Sequence, residues 1–344
     1  MTRWTFGVLA ALAVLAHPAA AQDSDFSGLE ALIAEGELGK ITAIEVDHRS
    51  ATVYSNRFDG KTAETLTDIR SAGKSLTALA VGKAVDDGKL SVDDKVWPIL
   101  GGTAGDPRND ITVRDLLTMS SALDCNDSDK RSPGQEEKMY RTRNWRAFAM
   151  NLPLDPEYVR DDKGYGRWSY CTAGVFLLGQ VVQEVTGERF DEYVARHIFA
   201  PLGITDAEWK RSKSGEIQSG GQIRMRADDL AKIGRMVLDK GRYGGRQIVS
   251  AGWIEEMLYP HRQLGEYVRY GYLWWFNPVK SPRGYEPSWM MMGNGGNNVS
   301  IYRDYDAVIV VQARNYNEDD ASRNSFRAMW EVIAALPAPD GRVP

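Results

Sequence analysis

Residues 71–90 read SAGKSLTALAVGKAVDDGKL, a helical pattern that opens with a serine and a lysine three residues apart. Apolar residues recur at three- and four-residue spacing between residues 72 and 87, which predicts a helix with one buried face. Gly88 stands where a helix ends in the left-handed conformation, and Ser71 occupies the N-cap position. Because side chains three residues apart share a helix face, the Lys74 amine is expected to reach the Ser71 hydroxyl.

This Ser-x-x-Lys pair predicts a nucleophilic serine whose base is a lysine. Burial disfavours the charged form of the amine, so that a buried Lys74 can take the proton of Ser71. The start of the helix also places partial positive charge where an oxyanion would form. Roughly one such pair is expected by chance in a chain of this length, so a capping serine with a solvated lysine is the ordinary alternative.

Other catalytic patterns are missing from the sequence. It has four histidines and no Gly-x-Ser-x-Gly elbow, so no histidine is an obvious base. It has no His-Glu-x-x-His motif and no cysteine–histidine cluster, and neither a metal nor a cofactor is expected. The net charge of -5 and the lack of a basic face argue against a nucleic-acid partner.

The segments around this helix indicate the fold class. Short β-rich runs at residues 41–46 and 51–58 predict an N-terminal hairpin, and residues 91–261 are mostly helical in pattern. The last third predicts four strands and a closing helix, at residues 270–276, 288–292, 298–302, 307–311 and 321–336. These elements predict an α/β fold with mixed layers, in which residues of about 22–90 and 262–344 form one part and the helical segment is inserted. The active site is expected in the cleft between the two parts.

The first residues predict an export signal. Arg3 precedes an apolar run from residue 4 to residue 16, and small residues follow at 18–21. Residues 1–21 therefore read as a cleaved signal peptide, and 22–344 as a single catalytic unit. An uncleaved anchor is the alternative, but the run is shorter than the roughly 18 apolar residues that span a bilayer. No later segment is apolar enough to span a membrane, so the protein is expected to be periplasmic or secreted.

Two cysteines are present in the predicted mature chain, Cys125 and Cys171. In an oxidising compartment a disulfide between them is the expected state, whereas in the cytosol they would be buried thiols. Cys171 directly follows Tyr170. We therefore expect the bridge to brace the loop that carries this tyrosine.

The segment from Ser71 to Ser75 resembles the first motif of serine β-lactamases and penicillin-binding proteins. Residues 76–90 and 111–121 are similar to the branch that holds class C β-lactamases, family VIII esterases and 6-aminohexanoate oligomer hydrolases. Residues 168–174, WSYCTAG, resemble the Tyr-x-Asn/Ser motif of that branch. The resemblance implies a β-lactamase/transpeptidase-like fold, in which strands from both ends of the chain form an antiparallel sheet flanked by helices.

The resemblance also implies a role for each motif residue. Ser71 would attack the substrate carbonyl, and Lys74 would deprotonate this serine. Tyr170 would relay a proton to the leaving group and then activate the deacylating water, although an aromatic residue packed before a helix is the alternative. Thr172 stands where the family has Asn or Ser, and it would hydrogen-bond Lys74 or the substrate.

The third motif departs from the family's pattern. Where the family has Lys-Thr-Gly or His-x-Gly, residues 293–298 read GNGGNN, so that Asn294 takes the place of the basic residue. Gly296 suits a close approach of substrate and strand, and the Asn297 and Ser71 N–H groups are the candidate oxyanion hole. A plain glycine turn is the alternative. Without the cation, esters or neutral amides fit better than the carboxylate of a β-lactam or a D-alanyl peptide.

Four aromatic residues near this motif are expected to lie mainly in the core, with one or two lining the cleft: Tyr272, Trp274, Trp275 and Trp289. The sequence as a whole predicts an exported serine hydrolase that cleaves a small-molecule ester or amide through an acyl-enzyme. A D,D-peptidase, a penicillin-binding protein or a β-lactamase on the same fold is one alternative. A non-catalytic binding or sensor module is another.

Overall fold

The structure is a computed structural model and describes residues 24–339. The predicted signal peptide, residues 1–21, lies outside the described residues. Within them the strands are β1 (Ile41–His48), β2 (Ala51–Arg57), β3 (Thr67–Asp68), β4 (Glu208–Trp209), β5 (Ile223–Met225), β6 (Arg242–Tyr243), β7 (Arg246–Gln247), β8 (Arg262–Gln263), β9 (Arg269–Tyr270), β10 (Trp275–Phe276), β11 (Val279–Ser281), β12 (Gly284–Glu286), β13 (Trp289–Gly293), β14 (Asn297–Tyr302) and β15 (Ala307–Ala313). The α-helices are α1 (Ser27–Ala34), α2 (Lys74–Asp86), α3 (Val96–Ile99), α4 (Val113–Leu117), α5 (Glu136–Arg141), α6 (Trp145–Met150), α7 (Thr172–Thr186), α8 (Phe190–Val194), α9 (Ala227–Leu238), α10 (Ala251–Met257) and α11 (Ala321–Ala335).

An eight-stranded sheet with the order β2-β1-β15-β14-β13-β10-β9-β8 forms the centre of the fold. Every neighbouring pair in it is antiparallel. The two ends of the chain meet in this sheet, because β1 pairs with β15 from Ile41 opposite Ala313 to His48 opposite Ala307. The predicted fold class, an antiparallel sheet of N- and C-terminal strands flanked by helices, is confirmed.

Strand β15 illustrates how both faces of the sheet are covered. Ile309 and Val311 pack into a cluster with residues of α1 and α11. Val308 and Val310 belong to the cluster on the other face, which contains residues of α2, α7 and α9. Because side chains alternate between the two faces of a strand, a strand covered on both sides is almost continuously apolar, as residues 307–311 are.

Helices are the longest regular elements of residues 91–261, which lie between the two groups of sheet strands and also contain β4 to β7. Helix α7 lies at their centre, since its residues 172–182 are all buried, and it packs against α2. Gly187, with a φ of 74°, ends α7 in the left-handed conformation that glycine adopts without strain. The start of α2 therefore lies where the sheet and the helical part meet.

Two sequence predictions are wrong in detail. Ser71 does not cap the helix, because it lies inside a 3₁₀ turn over Arg70–Gly73, and α2 begins only at Lys74. The strand predicted at residues 270–276 is two short strands separated by a turn. At this turn the Leu273 N–H donates to the Leu117 carbonyl at 3.1 Å, and Leu273 has a φ of 57°. Docking of the turn onto α4 outweighs the strand propensity of these residues.

Candidate active site

The nucleophile motif lies at the junction of the sheet and the helical part. Strand β3 pairs with β5, and the Ile69 N–H continues that pairing to the Ile223 carbonyl at 3.0 Å. The chain then turns at Arg70, whose φ is 53°. This turn presents the partly exposed Ser71 at the start of α2.

The Lys74 amine is buried and contacts the serine. Its Nζ lies 3.0 Å from Ser71 Oγ and 2.7 Å from the carbonyl oxygen of Gly220, and Lys74 is only 2% exposed. When the amine is neutral, its lone pair can accept the serine proton while one N–H still donates to Gly220. This is the geometry that an activated serine nucleophile requires.

Tyr170 lies over the same amine. Its ring centroid is 5.0 Å from Lys74 Nζ, and its main-chain oxygen accepts the N–H of Asp127 at 2.9 Å. The preceding Ser169 is fixed as well, because its hydroxyl donates to the Cys125 carbonyl at 2.7 Å. The structure therefore brings the three predicted catalytic side chains together.

A disulfide joins Cys125 to Cys171, with the sulfurs 2.03 Å apart. Cys171 is also the N-cap residue of α7, where its sulfur lies 3.2 Å from the Gly174 N–H. The bridge connects the loop of Asp127 to the residue that follows Tyr170. It therefore braces the segment that carries the tyrosine.

Thr172 lies behind the lysine rather than in the cleft. It is fully buried, and its main chain and methyl group pack against Gly220, the residue whose carbonyl accepts from Lys74. Within the described residues the Thr172 hydroxyl has no hydrogen-bond partner. Its N–H donates to Asp127 Oδ2 at 2.8 Å.

Gly293, at the end of β13, lies directly against the serine turn. A Cβ at this position would be 2.0 Å from the Ile69 carbonyl oxygen and 3.1 Å from the Ala72 nitrogen. Only glycine permits so close an approach of two backbones. Nothing in the sequence separates Gly293 from the two glycines of the neighbouring turn, so its role is not predictable from the motif.

Gly296 and Asn297 shape the hairpin between β13 and β14. A Cβ on Gly296 would meet the Ala321 carbonyl at 2.8 Å, at the start of α11. The buried Asn297 side chain donates to the carbonyls of Asn294 and Ala313, each at 3.0 Å, and Asn297 pairs with Gly293. The structure thus places Gly293 directly against the serine turn, whereas the Asn297 side chain is bonded to the β13–β14 hairpin and to β15.

The beta-lactamase family profile matches residues 43–329. The chain belongs to the beta-lactamase family. The resemblance that the sequence motifs predicted is thereby confirmed.

Relatives within and around the beta-lactamase family carry the names of several hydrolases. A 6-aminohexanoate-dimer hydrolase of Paenarthrobacter ureafaciens is 32% identical over 196 residues, which are 55% of this chain and 50% of that protein. A putative D-alanyl-D-alanine carboxypeptidase of Escherichia coli K12 is 27% identical over 176 residues, 47% of this chain and 40% of that one. The chain thus spans about half the length of these curated relatives, or less. Among solved structures, a putative 6-aminohexanoate-dimer hydrolase from Bacillus anthracis superimposes with a TM-score of 0.72 at 18% identity, over 88% of this chain and 81% of that one, and shares the fold.

Asn294, which the resemblance implies to stand in place of a basic residue, is bonded to the loop after β15. Its Nδ2 donates to Asn317 Oδ1 at 2.9 Å, and its Oδ1 accepts the Asn317 N–H at 2.8 Å. The nitrogen and the oxygen of the exposed Asn294 amide therefore both form hydrogen bonds with Asn317. The amide holds the turn in place, and it brings no charge to the site.

A cation does lie near this turn, and sequence reasoning missed it. Arg70 places its guanidinium 4.4 Å above the ring of Tyr316, and Tyr316 packs against Gly295 of the turn. Asp68 pairs with Arg70 at 3.2 Å. The position directly before Ser71 thus carries a positive charge beside the turn that contains Asn294.

Asp127 is a second group that the sequence did not single out. Its two carboxylate oxygens accept the N–H groups of Thr172 and Glu136, at 2.8 and 3.0 Å. Burial raises the pKa of the Asp127 carboxyl to about 6, against the opposing effect of the positive charge on Lys74. A single acid in a loop matches no motif, and only its position two residues after Cys125 hints at the site.

An aromatic wall borders the site, defined by Trp168, Tyr170 and Trp275, all partly exposed. The rings of Trp168 and Trp275 each lie 6.0 Å from that of Tyr170. The other predicted aromatic residues, Tyr272, Trp274 and Trp289, are buried. Of the four aromatic residues named from the sequence, Trp275 is the one that lines the cleft.

Between residues 24 and 339, no three His, Cys, Asp or Glu side chains are grouped so that they could hold a metal ion. In the same part of the chain, every helix is too short or too polar to cross a bilayer.

Proposed function

We propose that this protein is an exported serine hydrolase that cleaves a small ester or amide through an acyl-enzyme on Ser71. The observation that carries the proposal is the buried Lys74 amine, 3.0 Å from the Ser71 hydroxyl. Tyr170, whose ring centroid lies 5.0 Å from that amine, has a hydroxyl that can serve in the next proton transfer. Export is supported by the predicted signal peptide and by the disulfide, a bond that persists in oxidising compartments.

The reaction follows from these contacts. Ser71 Oγ attacks the carbonyl carbon and passes its proton to Lys74 Nζ. Tyr170 delivers a proton to the leaving alcohol or amine as its bond to the carbonyl carbon breaks, and Lys74 returns the proton to Tyr170. Water then attacks the ester formed with Ser71, while Tyr170 and Lys74 transfer protons in the reverse direction. The acid is released and Ser71 regains its proton.

The register of β13 supports an oxyanion donor other than the Asn297 amide. The Asn277 N–H donates to the Ser288 carbonyl at 3.0 Å, and Trp275 pairs with Met290. Main-chain groups alternate between the two sides of an antiparallel strand, so that Met292 directs its N–H to the β10 side, beyond the end of β10. We infer that the N–H groups of Met292 and Ser71 receive the oxyanion.

The surroundings of the site favour a substrate with an apolar part. The aromatic wall supplies apolar surface beside Tyr170, and Asn294 offers no charge for a substrate carboxylate. The 6-aminohexanoate-dimer hydrolase among the relatives is named for cleavage of an amide. Esters and neutral amides are therefore the proposed substrate class.

A D,D-carboxypeptidase or β-lactamase activity is the second candidate, and Arg70 is the observation that favours it. Its guanidinium lies beside the third-motif turn, where it could bind a substrate carboxylate once Asp68 releases it. The relative named as a putative D-alanyl-D-alanine carboxypeptidase points the same way.

The test compares the wild-type protein with Ser71→Ala on a panel of p-nitrophenyl esters and on nitrocefin. Ester turnover is expected to fall by roughly 10³-fold or more in the variant, whereas Ser91→Ala, at an exposed serine of a surface loop, retains it. Nitrocefin turnover that depends on Ser71 would favour the second candidate. If wild-type protein turns over neither substrate and takes up no fluorophosphonate, the catalytic proposal fails and a binding or sensor role replaces it.

A further inference from the structure

Asp127 connects three parts of the site through its main chain and its carboxylate. Its N–H donates to the Tyr170 carbonyl at 2.9 Å. One carboxylate oxygen accepts from Thr172, the first residue of α7, and the other from Glu136, the first residue of α5. The Tyr170–Thr172 segment is thus held by this aspartate on both sides of the disulfide-bonded Cys171.

Charged groups face Asp127 from two of the elements packed around it. From α2, the Lys74 amine favours the carboxylate, and from α5, Glu136 opposes it. Tyr140, also on α5, keeps its hydroxyl on Glu136 at 2.9 Å, while α7 contributes the neutral N–H of Thr172. Lys74 is therefore the one positive charge among these groups.

We propose that ionised Asp127 is a positioning residue for the reaction at Ser71, which holds the Tyr170–Thr172 segment over Lys74 and balances the charge on Lys74 once that amine has taken the serine proton. This inference rests on the proposed function. In serine hydrolases with a histidine base, an aspartate supports the protonated base in the same way.

The two roles share one requirement, the negative charge. A carboxylate accepts both N–H groups through charged oxygens, whereas protonation turns one oxygen into a donor and a much poorer acceptor for the facing N–H. Protonation therefore weakens the hold on either α5 or the Tyr170–Thr172 segment and also removes the charge near Lys74. Since burial raises the pKa of Asp127 to about 6, the reaction at Ser71 should slow as the pH falls through that value.

The experiment measures the rate at which a fluorophosphonate labels Ser71 in the full-length protein, from about pH 4.5 to about pH 9. In this step the Oγ–P bond forms, fluoride leaves, and the serine proton passes to Lys74. Wild-type labelling is expected to decline below about pH 6. At about pH 7.5, Asp127→Asn is expected to be labelled roughly tenfold to a hundredfold more slowly, without the decline near pH 6.

Glu216→Gln is the matched control. Glu216 also accepts two N–H groups at a helix start, those of Trp145 and Arg146 at 2.8 and 3.0 Å, and its other partners are Ser212 and Ser214. This variant should lose stability, as Asp127→Asn does, and yet keep the wild-type pH profile. Glu136→Gln keeps the backbone N–H that Asp127 accepts and removes the negative charge that opposes ionisation of Asp127. The fall in the labelling rate should therefore occur at a lower pH.

The outcomes separate the two proposals. If wild-type protein is not labelled at any pH, the proposed function fails and the role of Asp127 with it. If wild-type protein is labelled and Asp127→Asn follows the same rate and pH profile, the role of Asp127 alone is overturned. If Asp127→Asn does not fold, the pH profiles of labelling for wild-type protein and Glu136→Gln test the role of Asp127 instead. The proposal is contradicted if the labelling rate falls at the same pH in both proteins.

Discussion

Replacing Gly293 with alanine tests whether the packing of β13 on the serine turn is needed for activity. The added Cβ would lie 2.0 Å from the Ile69 carbonyl oxygen. Because a carbon–oxygen contact below about 3 Å is strongly repulsive, the strand and the turn must separate by roughly 1 Å. Both partners are backbone, so no side-chain rotation relieves the contact.

The expected losses of reaction rate and of stability follow from that displacement. A shift of about 1 Å in a reacting geometry lowers the rate on the order of 10²-fold, and overpacking of this kind costs about 1–3 kcal/mol in the free energy of unfolding. We therefore expect Gly293→Ala to fold, and its kcat/KM for a p-nitrophenyl ester to fall about 100-fold.

Steady-state kinetics and urea unfolding measure the two effects separately. Gly252→Ala is the control, because Gly252 lies in α10 and nothing outside its own helix turn lies within 4 Å of its Cβ position. It should keep wild-type activity and gain about 0.5–1 kcal/mol of stability. Wild-type kcat/KM in Gly293→Ala would refute the claim that this contact shapes the site.

Three further changes test other parts of the structure. Removing the disulfide with Cys125→Ser/Cys171→Ser should cost up to about 4 kcal/mol, from the loop between positions 46 residues apart, and thermal unfolding with and without reductant measures it. Tyr170→Phe should lower kcat by about 10²- to 10⁴-fold with little change in KM, and an unchanged kcat on p-nitrophenyl esters would exclude Tyr170 as the proton relay. Arg235→Met should cost about 3–5 kcal/mol in urea unfolding, because the buried Arg235 pairs with Asp47 and Asp306 and joins α9 to the sheet. A loss below about 1 kcal/mol would mean that this cluster is no stronger than a surface ion pair.

The fold could be predicted from the sequence where one local pattern dominates. The apolar run of residues 307–311 and the spacing in residues 72–87 each identify an element without help from the rest of the chain. The interruption between β9 and β10 could not be predicted, because the turn is fixed by a bond from Leu273 to Leu117, a residue more than 150 positions away.

In the candidate site, too, the residues that a local pattern identifies could be predicted, and those that depend on distant contacts could not. The contact of Ser71 and Lys74 follows from helical spacing alone, since both residues lie in one turn of chain. Asp127 and Gly293 act through residues distant in sequence, and neither a lone aspartate in a loop nor one glycine among 33 carries a local signal. What the sequence could not supply was therefore the set of groups around the nucleophile, rather than the nucleophile itself.

Those surrounding groups add close backbone packing to the side-chain contacts of the serine turn, such as the pairing of Arg70 with Asp68. On the sheet side, Gly293 lets β13 approach the Ile69 carbonyl. On the helical side, Gly221 has a φ of 125°, and a Cβ there would lie 2.8 Å from the Arg70 carbonyl oxygen and 3.2 Å from Ser71 Cα. Backbone has far fewer free torsions than a long side chain, so a turn packed between two backbones loses little entropy when the substrate binds. The serine is thereby oriented before the reaction begins, and a methyl group added on either side should disturb it more than most substitutions in the aromatic wall.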